Sequence, residues 1–152
     1  MTIITKNNKP HFVAGFTEMT LPYNTHTKMT YNIELEDSDG AYDHSTNYRF
    51  TVPAGKGGFY HISAWYTVAT GTDSSAFELW LYKNGSASTA GEDMQGKSVN
   101  ESYNTVACST VLELAAGDYI EMYAKQASGG ATGSYNIGYS NEGRFTGYKL
   151  IT

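Results

Sequence analysis

Residues 42–66 have the sequence YDHSTNYRFTVPAGKGGFYHISAWY, which carries the clearest structural signal in the chain. The segment contains an irregular turn, a short strand, a loop rich in proline and glycine, and a long strand. Successive side chains of a strand point to opposite faces of its sheet. One face of the long strand predicts a core, whereas the other is unusually aromatic and suggests a surface that meets a partner. The first face carries Tyr60, Ile62, Ala64, Tyr66 and Val68, and the second carries Phe59, His61, Ser63, Trp65 and Thr67.

The composition predicts one globular domain built from strands. The chain has 152 residues, of which 40% are hydrophobic and 16% are charged, and this suits a single core. Thirteen tyrosines and sixteen glycines favour strands joined by turns over helices. The only cysteine, Cys108, excludes an internal disulfide, and its alternating apolar surroundings predict a buried thiol.

Period-two alternation recurs along the chain, and helical periodicity is not evident. Asn84-Gly85 is a strong signal for a hairpin turn. About ten short antiparallel strands separated by turns predict an all-β, two-sheet sandwich of the jelly-roll type. We expect residues 1–10 to form an N-terminal arm and residues 11–152 a single domain. The predicted strands are 11–17, 28–35, 48–52, 59–69, 76–83, 105–114, 119–125, 135–139 and 144–151.

Four segments, in order, resemble the globular head of the complement 1q and tumour necrosis factor superfamily. Residues 42–64 are similar to the central motif of the family, 79–85 and 112–123 to the strands that follow, and 144–151 to its closing strand. The resemblance covers about residues 28–151 and implies a complement 1q-like jelly roll that packs as a homotrimer around a threefold axis. Because the domain stands alone, we expect a bacteriophage member of this superfamily. The matched positions are Phe50, Pro53, Gly58, Tyr60, Gly117, Asp118, Phe145 and Gly147.

The aromatic second faces of three strands supply the candidate trimer interface. If these strands are neighbours, they form an apolar outer surface too large to leave in water. The alternative is that a long loop, such as residues 85–104, covers this face. The candidate interface residues are Phe59, His61, Trp65, Trp80, Tyr82, Tyr119 and Tyr123.

Catalytic and metal chemistry have little support in the sequence. The four histidines are scattered and form neither a nucleophile–His–Asp pattern nor an HExxH motif. The acidic residues of segment 34–39 lack the spacing of a calcium loop, so a solvated turn is the expected structure. We therefore expect a non-enzymatic protein without a metal or cofactor.

The charge balance also narrows the class of partner. A net charge of −5 without a basic patch argues against binding to nucleic acid, and the apolar runs are too short to span a membrane. The Asn-x-Ser patterns at 84–86 and 100–102 fit N-glycosylation, which matters only in a eukaryotic secretory route.

Two functions remain open at this point. The first is a homotrimeric virion structural protein, specifically a capsid decoration (cement) protein of a bacteriophage, assembled in the host cytoplasm and bound to a capsid or fibre protein. The lone domain without a secretory signal or collagen stalk favours this function. The alternative is a receptor- or glycan-binding head of a fibre, or of an extracellular recognition protein that resembles complement 1q.

Overall fold

The computed structural model describes residues 9–68, 75–87, 104–128, 135–137 and 142–150. Within these ranges the chain forms thirteen strands joined by turns, and it has no helix. The strands are β1 (His11–Gly15), β2 (Met19–Leu21), β3 (Thr27–Lys28), β4 (Ile33–Asp37), β5 (Tyr42–Asp43), β6 (Arg49–Thr51), β7 (Gly58–Val68), β8 (Ser75–Lys83), β9 (Ser86–Ala87), β10 (Asn104–Leu114), β11 (Tyr119–Ser128), β12 (Tyr135–Ile137) and β13 (Gly143–Lys149).

The strands form two antiparallel sheets, as the jelly-roll prediction requires. Sheet 1 has the order β2-β12-β7-β13-β1-β4, with β10 also paired to β7. Sheet 2 has the order β5-β6-β11-β8-β9, with β3 also paired to β11. Both β10 and β13 pair with most of the length of β7, so they lie on its two opposite edges. The predicted two-sheet jelly roll is therefore confirmed, and β7 is the central strand of sheet 1.

The core lies between the inner faces of the two sheets. The β7 residues predicted to fill it, from Tyr60 to Val68 in alternation, are at most 1% exposed. Four aromatic rings pack at its centre, because Phe12 stacks on Tyr42 and Phe50 and meets the edge of Phe145. Cys108 is buried as predicted, and this burial raises the pKa of its thiol to about 12. The thiol therefore stays protonated and unreactive.

The prediction of one continuous strand over residues 28–35 is wrong, because Lys28 ends β3 in sheet 2 and residues 33–35 belong to β4 in sheet 1. Residues 29–32 connect the two strands and are not in a strand themselves. The alternation that suggested a strand is real, because Met29 and Tyr31 are fully buried. Side-chain contacts anchor the crossing, with the hydroxyl of Tyr42 donating to the carbonyl of Tyr31 at 2.9 Å. Alternating burial along this segment thus reflects a crossover that packs into the core, without continuous strand pairing.

Part of the predicted N-terminal arm belongs to the domain. Pro10 is buried, and its carbonyl accepts a hydrogen bond from the backbone N–H of Lys149 at 2.9 Å. The folded unit therefore includes Pro10 as well as β1. Residues 1–8 of the arm lie outside the described residues, as do most of loop 85–104 and the end of the predicted strand 59–69.

Candidate functional site

The seven candidate interface residues lie on two different sheets. Phe59, His61 and Trp65 project from β7 in sheet 1, whereas the other four belong to β8 and β11 in sheet 2. The two sheets pack through their inner faces, so their outer faces point away from each other. The condition that all these strands are neighbours fails, and one continuous aromatic surface is not formed. The residues of the second group are Trp80, Tyr82, Tyr119 and Tyr123.

The outer face of β7, β10 and β13, here called the sheet 1 face, exposes large apolar side chains. Val111, His61 and Tyr148 form a row across the three strands, because β10 and β13 both place a partner opposite His61. Val111 is 51% exposed, Tyr148 48%, and Phe59, two residues from His61 on β7, 42%. The sequence pattern missed Val111 and Tyr148, because only the register shows that they flank His61.

Charged side chains are scarce on the sheet 1 face. Among the described outward positions of its three strands, Glu113 and Arg144 carry the formal charges. A low charge density around exposed aromatic and aliphatic groups is typical of the centre of a protein–protein interface. The other outward residues are Phe59, His61, Ser63, Trp65, Thr67, Thr105, Ala107, Ser109, Val111, Thr146 and Tyr148.

His61 is held firmly at the centre of the sheet 1 face. Its Nε2 lies 2.9 Å from the hydroxyl of Ser109, and its ring stacks on Tyr148 with the centroids 5.0 Å apart. Its Nδ1 is buried and has no hydrogen-bond partner among the described residues. A buried polar atom without a partner costs free energy. The histidine is therefore a packed part of this face. It contacts a serine hydroxyl through Nε2, but among the described residues no carboxylate orients its Nδ1 as in a Ser–His–Asp triad.

The outer face of sheet 2, here called the sheet 2 face, carries a different aromatic cluster. Tyr82 and Tyr123 are stacked cross-strand neighbours with centroids 4.0 Å apart. His26 meets Trp80 edge-on at 5.1 Å, and its Nδ1 is hydrogen-bonded to the hydroxyl of Tyr82 at 3.2 Å. These rings therefore contact one another within the chain.

Charged groups of the sheet 2 face also find partners within the chain. The ammonium of Lys28 contacts the carboxylate of Glu121, which is only 3% exposed although it projects outward. The indole Nε1 of Trp80 donates to Glu78 at 2.9 Å. Arg49 lies 4.1 Å above the ring of Tyr119, a favourable cation–π geometry. Glu121, Glu78 and Arg49 on the sheet 2 face thus contact partners within the chain, in contrast to the large apolar side chains exposed on the sheet 1 face.

The ionisable groups of the described residues do not assemble into a metal centre. No group of three or more His, Cys, Asp or Glu side chains is placed to hold a metal in these parts of the chain. His11 and His44 form exposed pairs with Glu36 and Glu34 at 3.5 and 2.9 Å. Within the same ranges, no helix is long and apolar enough to cross a bilayer.

The carboxylate of Asp43, at the end of β5, accepts hydrogen bonds from the turn that follows. Asp43 accepts hydrogen bonds from the backbone N–H groups of Thr46, Ser45 and Asn47 and from the amide of Asn47. These bonds, led by the one from Thr46, hold the pKa of Asp43 well below its usual range. Its carboxylate is therefore used to shape the turn.

The glycosylation pattern at residues 84–86 also has a structural role. The amide of Asn84 donates to Asp118 at 2.8 Å, and its oxygen accepts from the backbone N–H of Tyr119 at 2.9 Å. Both ends of this side chain are therefore engaged in the folded chain. The pattern at 100–102 lies outside the described residues.

No protein-family model matches the chain, and no curated protein sequence matches it at a significant level. Solved structures do match its fold. The globular domain of zebrafish complement 1qA protein superposes with a TM-score of 0.60 at 16% identity, covering 93% of this chain and 98% of that one. Murine APRIL gives a TM-score of 0.58 at 12% identity, covering 93% and 99%.

Eiger, a tumour necrosis factor from S. frugiperda, gives a TM-score of 0.52 at 13% identity and covers 94% of this chain and 92% of its own. Identities this low show the fold alone. The three superpositions agree with the resemblance to the same superfamily, which rests on residues 42–64, 79–85, 112–123 and 144–151. The chain therefore has the jelly-roll fold seen in complement 1q globular domains and tumour necrosis factor-like proteins.

Proposed function

We propose that the chain is a non-enzymatic binding module that assembles as a homotrimer through the sheet 1 face. The observation that carries this proposal is the combination of three exposed apolar side chains, Phe59, Val111 and Tyr148, with very few charges on the same face. A stable interface buries roughly 1,600 Å² in total and centres on aromatic anchors.

An interface on the sheet 1 face includes only three of the seven residues predicted from the sequence. Phe59, His61 and Trp65 remain interface residues in this proposal, joined by Val111 and Tyr148. The candidates on sheet 2 point away from this face and already contact partners in their own chain. They are free to face solvent or a ligand in the assembled trimer.

More specifically, we propose that the trimer is a virion structural protein, a capsid decoration protein of a bacteriophage assembled in the host cytoplasm. The threefold symmetry of a trimer matches the local threefold axes of an icosahedral shell. Binding of a folded domain to the shell proteins requires no cofactor. The negative net charge and lack of a basic patch fit a protein partner better than nucleic acid.

The second candidate is a receptor- or glycan-binding head, on a fibre or on an extracellular recognition protein. The aromatic cluster of the sheet 2 face, with Trp80, Tyr82 and His26 in mutual contact, favours this function because rings with polar edges can meet a ligand. The complement 1qA protein and APRIL, which share the fold, provide a second support for a recognition role.

The two tryptophans give a direct test of which face is buried on assembly. Trp65 lies on the sheet 1 face and Trp80 on the sheet 2 face, and the chain has no other tryptophan. In Trp80→Phe, dilution that dissociates the assembly should shift the emission of Trp65 to longer wavelength. In the matched variant Trp65→Phe, the emission of Trp80 should not change. A shift of Trp80 alone would place the interface on sheet 2.

Binding assays separate the two candidate functions. Purified protein added to undecorated phage shells should co-sediment with them if it is a decoration protein, and Phe59→Lys should abolish both trimer and co-sedimentation. A lack of co-sedimentation by intact trimer, together with a reproducible hit on an array of neutral oligosaccharides, would reject decoration and support the recognition head.

A further inference from the structure

The turn between β8 and β9 contains the only Asn-Gly dipeptide in the chain, Asn84-Gly85. Both residues have positive φ, 52° and 79°, as expected for the two central residues of a type I′ hairpin. Gly85 has no Cβ, so its backbone nitrogen is not shielded from the side chain of the preceding asparagine. The same two residues therefore form the hairpin turn and allow the Gly85 nitrogen to approach the side chain of Asn84.

The side chain of Asn84 joins this hairpin to the next turn of sheet 2. Its Nδ2 donates to Oδ1 of Asp118 at 2.8 Å, and its Oδ1 accepts from the backbone N–H of Tyr119 at 2.9 Å. The backbone N–H of Asn84 also donates to the carbonyl of Tyr119 at 2.9 Å. We call this set of contacts the Asn84 clamp.

Asp118 acts in the Asn84 clamp as an ionised acceptor. Its other oxygen accepts from the backbone N–H of Ala115 at 2.9 Å and lies 3.1 Å from the ammonium of Lys83. The hydrogen bond from Asn84, followed by those from Ala115 and Lys83, lowers the pKa of Asp118. A carboxylate thus lies within hydrogen-bond distance of the amide nitrogen of Asn84.

We infer that Asn84 is a site of spontaneous deamidation whose product opens the Asn84 clamp. The backbone nitrogen of Gly85 loses its proton to solvent and attacks Cγ of Asn84. The new C–N bond closes a succinimide, the bond from Cγ to Nδ2 breaks, and Nδ2 takes a proton and leaves as ammonia. Water then opens the ring at either carbonyl to give aspartate or isoaspartate. No oxidant or enzyme is needed.

The product conflicts with its surroundings for a simple electrostatic reason. The group that donated to Asp118 becomes a second carboxylate, so two negative oxygens meet at a hydrogen-bond distance with Lys83 as the nearby cation. Like charges in contact are destabilising. If isoaspartate forms, the added backbone methylene also changes the length of a two-residue turn. Either product detaches the β8–β9 hairpin from residues 115–119.

The same clamp slows the reaction while the chain is folded. Attack by Gly85 requires the carboxamide of Asn84 to turn toward the backbone, and the bonds to Asp118 and Tyr119 oppose that rotation. Both hydrogen bonds must break before the carboxamide can turn, and a bond to a charged group such as Asp118 contributes more than one between neutral groups. We therefore expect the reaction to be at least about tenfold slower in the folded chain than in the unfolded chain.

Peptide mapping by mass spectrometry tests the reaction itself. Wild-type protein is incubated at mildly alkaline pH, once folded in buffer and once unfolded in concentrated urea. The fraction of the peptide containing residues 84–85 that has lost ammonia and gained water is then measured over time. The unfolded sample should deamidate at least about tenfold faster, and folded Asp118→Ala should fall between the two. Equal rates in the folded and unfolded wild type would overturn the protective clamp, and no reaction in urea would overturn the site.

A charge-exchange pair tests the consequence. Asn84→Asp, which mimics the product, should increase the unfolding equilibrium constant by about tenfold or more. The double variant Asn84→Asp/Asp118→Asn restores an amide opposite a carboxylate and should recover most of this loss, with Asp118→Asn alone as its control. An Asn84→Asp variant as stable as wild type, or a double variant no more stable than Asn84→Asp, would refute the electrostatic conflict.

Discussion

The most buried ion pair among the described residues, Lys28–Glu121, lies on the sheet 2 face. Glu121 is 3% exposed and contacts the ammonium of Lys28, whereas Lys125 projects from the same strand without such burial. Removal of one member of a buried pair leaves an uncompensated charge. Because the side chain of Lys28 is 30% exposed, water screens part of this loss.

We expect Lys28→Ala to lower the free energy of unfolding by about 1–3 kcal/mol, measured from urea denaturation midpoints. The control Lys125→Ala should change it by less than about 0.5 kcal/mol, as is usual for surface substitutions. Equal effects of the two substitutions would show that the pair does not stabilise the fold.

The turn capped by Asp43 gives the protein an acid-sensitive contribution to stability. The pKa of Asp43 is lower in the folded chain than its reference value of 3.8. A carboxyl group with a depressed pKa stabilises the fold above its unfolded pKa, and this contribution is lost as pH falls toward the folded pKa. Stability should therefore decrease as the solution is acidified below about pH 4.

Asp43→Asn should weaken this dependence, because the amide cannot be titrated. We expect a smaller loss of thermal midpoint in the variant than in wild type between about pH 6 and about pH 3. A wild type and variant with the same loss would assign the acid sensitivity to other carboxyl groups.

At the scale of single elements, β13 must lie very close to the core. A Cβ added at Gly143 would overlap the ring of Phe16, whereas one added at Gly15 would meet the flexible side chain of Arg144 at 3.3 Å. Excess volume in a packed core typically costs 1–3 kcal/mol. Close packing of this strand explains why it tolerates glycine despite the weak strand propensity of that residue.

Gly143→Ala should therefore lower the free energy of unfolding by about 1–3 kcal/mol in urea denaturation. Gly15→Ala, on the neighbouring strand of the same sheet, should cost clearly less because the side chain of Arg144 can move aside. A Gly15→Ala variant that is less stable than Gly143→Ala would contradict close packing of β13 at Gly143.

Most strand positions could be predicted from the sequence, because apolar and polar residues alternate where one face of a strand is buried. The inward set of β7, from Tyr60 to Val68, and the turn at Asn84-Gly85 are found as predicted. Alternation also misled at residues 28–35, where Met29 and Tyr31 are buried in a crossover. Periodicity identifies which side chains leave water, but it does not distinguish a paired strand from an irregular segment that packs equally well.

The sequence pattern did not predict to which of the two sheets each strand belongs. Trp65 and Trp80 both occupy the second face of an alternating strand, yet β7 and β8 belong to different sheets. The side on which a face lies depends on pairings between residues far apart in sequence, such as His61 with Val111 and Tyr148. The sequence therefore predicted aromatic outer faces but not their separation.

At the scale of the whole molecule, the two faces suit different environments. The sheet 1 face combines exposed Phe59, Val111 and Tyr148 with few charges. On the sheet 2 face, the carboxylates of Glu121 and Glu78 contact partners within the chain. An assembly that buries the first face and leaves the second in solvent satisfies both. We therefore propose that the chain forms a trimer through the sheet 1 face.

The molar mass in solution, measured by light scattering during size-exclusion chromatography, tests this claim most directly. Tyr148 and Tyr23 are similarly exposed, at 48% and 42%, but only Tyr148 lies on the sheet 1 face. Wild type and Tyr23→Lys should each have three times the chain mass of 16.6 kDa, and Tyr148→Lys should have the mass of one chain. A single-chain mass for wild type, or a trimer that Tyr148→Lys leaves intact, would contradict the account.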